Sequence, residues 1–407
     1  MFTWWSAGSP QARKALIAAS LGWMLDSFDV MLYALVLASI IADLGMSKET
    51  AGALGSLTLL ASAAGGLLFG IVADRFGRTR ALIASVLIYS VFTAACGLAQ
   101  TVAQLAVFRI FLGIGMGGEW ASGAALVSET WPAEHRGKAL GFMQSAWAVG
   151  YGAAAIVTAV VMPLWGWRGV FFVGILPALF TLWVRRNVEE PAIWRESRQM
   201  AASARGAFGD IFRGPMLRLT IAVTVMNAFT MFAWWGFNLW LPSYLSMSPA
   251  QGGVGLSTTM MSGFVVAMQV GMWFGYVTFG FVSDRIGRKK TYVAYLLSAA
   301  VLLFFYVTIR EPMVLLVLGP FLAFVATGYF SGFGAVTAEI YPTSIRATAQ
   351  GFTYNIGRVA SAIAPWAVGS LAQSHGFGTA LSMSSIAFVL AAVTWIWIPE
   401  TRGRELT

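Results

Sequence analysis

Twelve long apolar segments make up most of this chain. They run roughly over 15–43, 50–73, 79–99, 103–128, 137–161, 166–184, 217–246, 256–282, 289–309, 312–339, 347–372 and 377–398. Segments of this length match the ~20 residues that a helix needs to cross the ~30 Å apolar core of a bilayer. Open strands cannot cross it, because lipid offers no partner to an unpaired backbone amide. The pattern therefore predicts an all-α integral membrane protein with twelve transmembrane helices. Composition agrees: 58% of residues are hydrophobic and only 11% are charged. That is too little charge to cover a soluble domain with so much apolar surface. The first segment follows Arg13 and Lys14, as the core of a secretory leader would. It outruns the about 7–15 apolar residues of such a leader and contains Asp26 and Asp29, so it is read as a retained span.

Most joining loops are short. The exception, 185–216, is polar and charged, and it divides the chain into 1–184 and 217–407. Odd-numbered loops hold Lys48, Arg168 and Arg310. Arg109 and Arg358 fall inside spans, and the remaining 21 of the 26 basic residues lie in the N-terminus, the even-numbered loops and the C-terminus. The positive-inside rule then puts both termini and the long loop in the cytoplasm. The net charge of +9 is explained by these loops, and no nucleic-acid partner is expected.

The halves repeat. "GIVADRFGRTR" from Gly70 matches "GFVSDRIGRKK" from Gly280, and "ETWPAEHRGKALGF" from Glu129 matches "EIYPTSIRATAQGF" from Glu339. Both pairs are offset by 210 residues. A parallel repeat of six-helix bundles is typical of secondary transporters with a site between the halves.

On these residues the chain resembles the major facilitator superfamily, whose signature is Gly-x-x-x-Asp-Arg-x-Gly-Arg between spans two and three, echoed between eight and nine. "LDSFD" in span one, "GMGGEW" in span four, "SETWPAEHRGKALGF" and "PLWGWRGVFFVGILPALFTLWVRRNVEEPAIW" further resemble the sialate:proton symporter family, which includes sialic acid transporters and lactate or pyruvate permeases. Aromatic-acid:proton symporters share the span-one pattern. The resemblance implies two pseudo-symmetric six-helix bundles working by alternating access. It also implies a cytoplasmic gate formed by Asp74, Arg75, Arg78, Glu129 and Arg136 in one half. Asp284, Arg285, Arg288, Glu339 and Arg346 form it in the other. Glu129 is paired there with Arg136, and Glu339 with Arg346.

Charged groups inside spans face cavities and one another, because lipid penalises them. Asp26 and Asp29 are the only charges between Ala15 and Ala42 and share a helix face. Glu119 lies in span four at a similar depth to Asp26, and Arg109 lies nearer the outer side. These four form a candidate proton-coupling set, with Arg109 as a partner for the aspartates. A structural ion pair between packed helices is the competing reading. Arg358 is near the middle of span eleven with no acid near it in its own helix. Its planar fork suits a carboxylate, with Tyr354 and Asn355 one turn before it. Tyr33, Asn227, Trp234, Asn238, Gln269 and Gln144 complete the candidate substrate-binding set, although each amide also suits helix–helix hydrogen bonding.

"GIGMGG" at Gly113–Gly118 fits a dinucleotide fingerprint, but it lies inside an apolar helix without the required βαβ unit. His135 and His375 are far apart and Cys96 is the only cysteine, so no metal, cofactor or enzymatic constellation is expected. The leading expectation is a monomeric, proton-coupled symporter of a small organic anion in a bacterial inner membrane. A monocarboxylate such as lactate or pyruvate comes first, then sialic acid. Symport of aromatic acids, or proton-driven export of drugs or metabolites, are the alternatives. A membrane sensor is a third class and would usually add a soluble signalling domain.

Overall fold

The computed structural model describes residues 3–190, 209–342 and 345–402. Among these there is no strand. The helices in chain order are α1 Thr3–Ala7, α2 Pro10–Leu44, α3 Lys48–Phe76, α4 Arg78–Cys96, α5 Val102–Thr130, α6 Ala133–Val173 and α7 Pro177–Asn187, followed by α8 Pro215–Ser246, α9 Thr258–Ile286, α10 Arg288–Thr308, α11 Pro312–Gly328, α12 Phe333–Ile340, α13 Arg346–Ser361 and α14 Ala364–Thr394. Hydroxyl caps start several of them: Ser9 accepts from the Ala12 amide and Thr101 from the Gln104 amide.

Among the described residues, ten stretches are long and apolar enough to cross a membrane, and two of them, of 47 and 46 residues, are too long for one crossing. A straight helix of that length would extend ~70 Å, over twice the apolar core. Each breaks once. Gly166 inside α6 has φ 65° and ψ −173°, and Gly376 inside α14 has φ 80° and ψ 166°. These two breaks are themselves 210 residues apart and turn ten stretches into twelve spans.

Two compact units form. The first comprises Met1–Ala201 with Leu241–Val266, and the second Ala202–Trp240 with Ala267–Thr407. In the first, α2 packs on α6, and α5 packs on both α3 and α4. Arg168, just after the Gly166 turn, pairs with Asp43 at 2.7 Å and donates to the Ala99 carbonyl. Lys48 donates to the Gln251 carbonyl at 2.9 Å. In the second, α10 packs on α14 and α11. Tyr292 donates to the Tyr329 carbonyl, and Trp240 to that of Pro365.

Small residues set the helix spacing. Along α3–α5, a Cβ added at Gly113 would lie 2.4 Å from the Thr58 carbonyl oxygen, and one at Gly117 would lie 1.9 Å from that of Ser62. The glycines of the false fingerprint are thus contact points between backbones. The second unit repeats this along α9–α11, where Gly271 meets the Pro320 carbonyl and Gly275 meets that of Phe324. Gly117→Val should therefore force α3 and α5 apart and cost roughly 1–3 kcal/mol or more, as overpacking does. Gly263→Ala, where nothing lies within 4 Å, should be nearly neutral. Thermal unfolding of the two variants in detergent compares them.

Candidate functional site

In the first unit the ionisable groups form a buried column. Asp26 and Asp29 on α2 are each 1% exposed, and Glu119 on α5 is fully buried. Glu119 packs over Gly22, whose missing Cβ would lie 2.5 Å from Glu119 Oε1. Gly22 precedes Asp26 by one turn, so Glu119 and Asp26 occupy neighbouring levels. Asp29 follows, and its two carboxyl oxygens have no hydrogen-bond partner among the described residues.

One turn beyond Asp29, Tyr33 is fully buried. Its hydroxyl donates to the Ala51 carbonyl at 2.9 Å, and its ring carries the Arg109 guanidinium 3.6 Å from the centroid. The expected ion pair between Arg109 and the aspartates is therefore not formed. The reason is level: Arg109 precedes Glu119 by ten residues, ~15 Å along α5, and meets α2 at Tyr33 instead. Stacking on an aromatic face satisfies part of a desolvated guanidinium. Arg109 Nε and Nη1 still lack acceptors among the described residues.

In the second unit Arg358 on α13 is 4% exposed and has no carboxylate partner among the described residues. The helix beside it is held by Asn227 on α8, whose amide donates to the Thr353 and Tyr354 carbonyls. Gly357 makes room for that contact, since a Cβ there would fall 2.6 Å from Asn227 Nδ2. Asn355 donates to the Gly351 carbonyl and Asn238 to that of Trp234, both within their own helices. Tyr354 lies 5.7 Å from Phe333 by ring centroids. Trp234 meets Trp235 and Phe330 edge-on, at 4.9 and 6.2 Å. Gln269 is buried, and its Oε1 lacks a partner among the described residues. Gln144 is half-buried on α6. The aromatic neighbours Trp235 and Phe330 escaped the sequence reading, because aromatic residues are frequent throughout the chain.

The duplicated motifs form two matching clusters. Arg78 binds Glu129 through Nη2 at 2.8 Å and Nε at 3.1 Å. Arg288 binds Glu339 through Nη2 at 3.0 Å, and also binds Asp284. Arg75 and Arg285 are exposed. The side chains of Asp74, Arg136 and Arg346 lie outside the described residues, so the described arginine partners of Glu129 and Glu339 are those of the preceding motif.

Two further acids belong here. Glu190 accepts from the Thr79 and Arg80 amides, and Glu400 from the Arg288 and Lys289 amides. Each caps the first turn of the helix that follows the motif, where free amides and the helix dipole attract a carboxylate. The motif glycines admit them. Gly77 and Gly287 have φ of 118° and 114°, and a Cβ would collide with the Glu190 or Glu400 carboxylate. Burial works to raise the Glu400 carboxyl, but amides of Arg402, Arg288, Lys289 and Thr401 outweigh it and hold it below the usual glutamate range. The signal for this pair was available: Glu190 and Glu400 are also 210 residues apart.

Comparison with known proteins agrees with this architecture. The family model described as Major Facilitator Superfamily matches residues 19–276 and 247–407. A putative metabolite transport protein of Haemophilus influenzae is 36% identical over 97% of both chains. A probable 4-methylmuconolactone transporter of Cupriavidus pinatubonensis is 34% identical over 99% of this chain and 94% of its own. The sialic acid transporter NanX of Escherichia coli is 32% identical over 95% of this chain and 93% of its own. Among solved structures, the xylose transporter XylE of E. coli, in a partially occluded inward-open conformation, superposes with a TM-score of 0.79. It is 21% identical over 98% of this chain and all of that one. The repeat, the twelve spans and these matches agree: the chain is a multi-pass membrane transport protein of the major facilitator superfamily.

Proposed function

We propose that this protein is a proton-coupled symporter of an organic acid anion, working by alternating access between residues 1–184 and 217–407. The observation that carries the reading is Arg358, a buried guanidinium without a carboxylate partner among the described residues. A buried charge is stable only when paired, and an incoming carboxylate supplies the pair in bidentate form. Proton coupling is assigned to Asp26, Asp29 and Glu119. The buried Asp29 carboxyl, whose two oxygens make no hydrogen bond among the described residues, is far cheaper to bury as the acid than as the anion. When Asp29 gives up its proton, Arg109 is the nearby cation able to leave Tyr33 and neutralise it.

The substrate is an acid with a ring or an extended unsaturated frame, in preference to lactate or pyruvate. Trp234, Trp235 and Phe330 cluster in the same unit as Arg358, and aromatic walls suit a planar apolar body. The named substrates of two relatives, 4-methylmuconolactone and sialic acid, are both carboxylic acids larger than lactate. Basic residues concentrate on one side of the spans, which supports cytoplasmic termini in a bacterial inner membrane. One chain supplies both halves, so the working unit is a monomer. Uptake of labelled benzoate, cis,cis-muconate, sialate and lactate into proteoliposomes, with and without an inward proton gradient, tests the reading. Uptake of none of them, or uptake indifferent to the gradient, overturns it.

Three outcomes follow from these assignments. Arg358→Lys keeps the charge and loses the fork. Its apparent affinity for the transported acid should fall by at least about tenfold, equivalent to ~1.4 kcal/mol. Equilibrium binding to the purified protein checks this. Asp29→Asn copies the shape but cannot titrate. Gradient-driven accumulation should fall much more than exchange between equal pools, and the two assays run side by side decide it. Glu400→Gln weakens a cap on one motif cluster. If the clusters hold one conformational state, that state loses at most the contact's free energy, ~1–3 kcal/mol for a coupling of this kind. With Cys96 replaced, a reporter cysteine near the motif end should change its rate of thiol labelling. Acidifying the wild-type protein through the depressed Glu400 range should move labelling in the same direction, since the cap is present above that range and lost below it.

A further inference from the structure

The end of the first unit opposite the motif cluster carries an ion pair that the assignments above leave unused. Its level follows from α4, which starts at Arg78 of the motif and ends at Cys96 after 19 residues. A helix of that length rises ~28 Å, close to the ~30 Å apolar core of a bilayer. Ala99, just beyond its end, is therefore at the far membrane boundary. Asp43, in the last turn of α2, and Arg168, just after the Gly166 turn, meet at Ala99.

Arg168 donates through Nη1 to Asp43 Oδ2 at 2.7 Å and through Nη2 to the Ala99 carbonyl at 3.1 Å. Trp167 donates to the same Asp43 oxygen at 3.2 Å, and the guanidinium lies 4.1 Å from the Trp167 ring centroid. Asp43 Oδ1 and Arg168 Nε take part in none of these bonds. The two side chains remain 44% and 38% exposed. The pair thus offers a free carboxylate oxygen beside a free guanidinium edge. Arg168 also heads a groove of about 480 Å³ lined by Trp165, Gly169, Phe172, Val173 and Leu176. The last four recur at three- and four-residue steps, on one helix face. Leu176 lies ~12 Å further into the span than Arg168. Trp165, Phe172 and Leu176 are exposed, so the apolar walls face the surroundings of the unit.

We propose that this groove holds one phospholipid with a primary-amine headgroup, phosphatidylethanolamine. Its phosphate meets the free edge of Arg168, since a guanidinium suits phosphate oxygens. Its ammonium, with three N–H donors, meets Asp43 Oδ1. The head and the ion pair are both zwitterions, and each charge finds its complement in the other. One acyl chain lies along Gly169, Phe172 and Leu176, through most of the ~15 Å of one leaflet. Trp165 flanks the turn at the membrane boundary, the level that Trp indoles favour. A choline head cannot make the Asp43 contact, because its trimethylated nitrogen has no N–H. A glycerol head has no ammonium at all. The assignment does not depend on which acid is carried.

The purified protein is equilibrated in micelles with equal phosphatidylethanolamine, phosphatidylcholine and phosphatidylglycerol, and its tightly held lipid is read by native mass spectrometry. Phosphatidylethanolamine should be retained over phosphatidylcholine at least about fivefold, equivalent to ~1 kcal/mol, the upper end for an exposed ion pair. Asp43→Asn keeps one oxygen for Arg168 and Trp167 but presents N–H donors where the ammonium must bind. It should abolish the preference, and lipid held elsewhere on the protein is common to both measurements. Trp165→Ala, at a position 71% exposed, should lower the retained phosphatidylethanolamine. Excess soluble phosphoethanolamine, the head without the chains, should not displace the lipid. No preference in the wild type, or an unchanged preference in D43N, overturns the assignment. Displacement by phosphoethanolamine overturns it as well, because the site then recognises a head and not a lipid. A wild-type dimer in light scattering that W165A converts to a monomer also overturns it, since the face then belongs to a second copy. Should D43N not purify as monodisperse protein, W165A decides alone: lower retention supports the lipid site, and unchanged retention overturns it.

Discussion

An ionised side chain in the middle of a bilayer-spanning helix costs several kcal/mol unless something meets its charge. Four such side chains share the first unit, Asp26, Asp29, Glu119 and Arg109, and a fifth, Arg358, lies in the second. Their burial explains much of the surrounding structure. Tyr33 is pinned by its hydroxyl to the Ala51 carbonyl, which holds the ring flat beneath Arg109. Gly22 leaves space for Glu119, and Gly115 lets α5 approach α4 at Tyr89. The cost is incompletely met where Asp29, Arg109 and Tyr89 retain unpartnered atoms. Those atoms are where a proton or a rearrangement can act.

The internal repeat separates framework from chemistry. At an offset of 210, Arg78–Glu129 answers Arg288–Glu339, Glu190 answers Glu400, Gly65 at the Ile114 carbonyl answers Gly275 at that of Phe324, and Gly166 answers Gly376. The ionisable groups do not repeat. Asp26, Asp29, Arg109 and Glu119 correspond to Gly236, Leu239, Gly319 and Tyr329, and Arg358 corresponds to Ala148. Both units are thus built on one helical frame, and each carries its own charges. Under the proposed symport the two units would differ in this way, because acids suit a proton and a guanidinium suits a carboxylate.

The candidate site was only partly readable along the chain. Asp26, Asp29, Glu119, Arg109 and Arg358 announce themselves, because a charge in an apolar segment is rare and expensive. Trp235 and Phe330 do not, since aromatics are ordinary in such segments and their importance lies in which neighbours they meet. Asn227 and Asn355 looked like ligands because amides are polar. In the fold their nitrogens bind helix carbonyls, a use that no spacing rule separates from substrate binding. Glu190 and Glu400 lay in plain view of the repeat, but a carboxylate in a loop has no visible partner until the loop folds back onto a helix start.

Hydropathy and duplication by themselves determined the number of spans and the parallel halves. Both follow from covalent order and from the absence of water in lipid, which leaves a spanning chain no option but a helix. The positions of acids and bases along each span also follow, because a helix advances ~1.5 Å per residue. Pairing does not. Arg109 and Asp29 lie on different helices, and whether they touch depends on where those helices cross. At that crossing Gly22 makes room for the Glu119 side chain and Gly123 approaches the Ala19 methyl. Only the tertiary structure could decide that Arg109 rests on Tyr33.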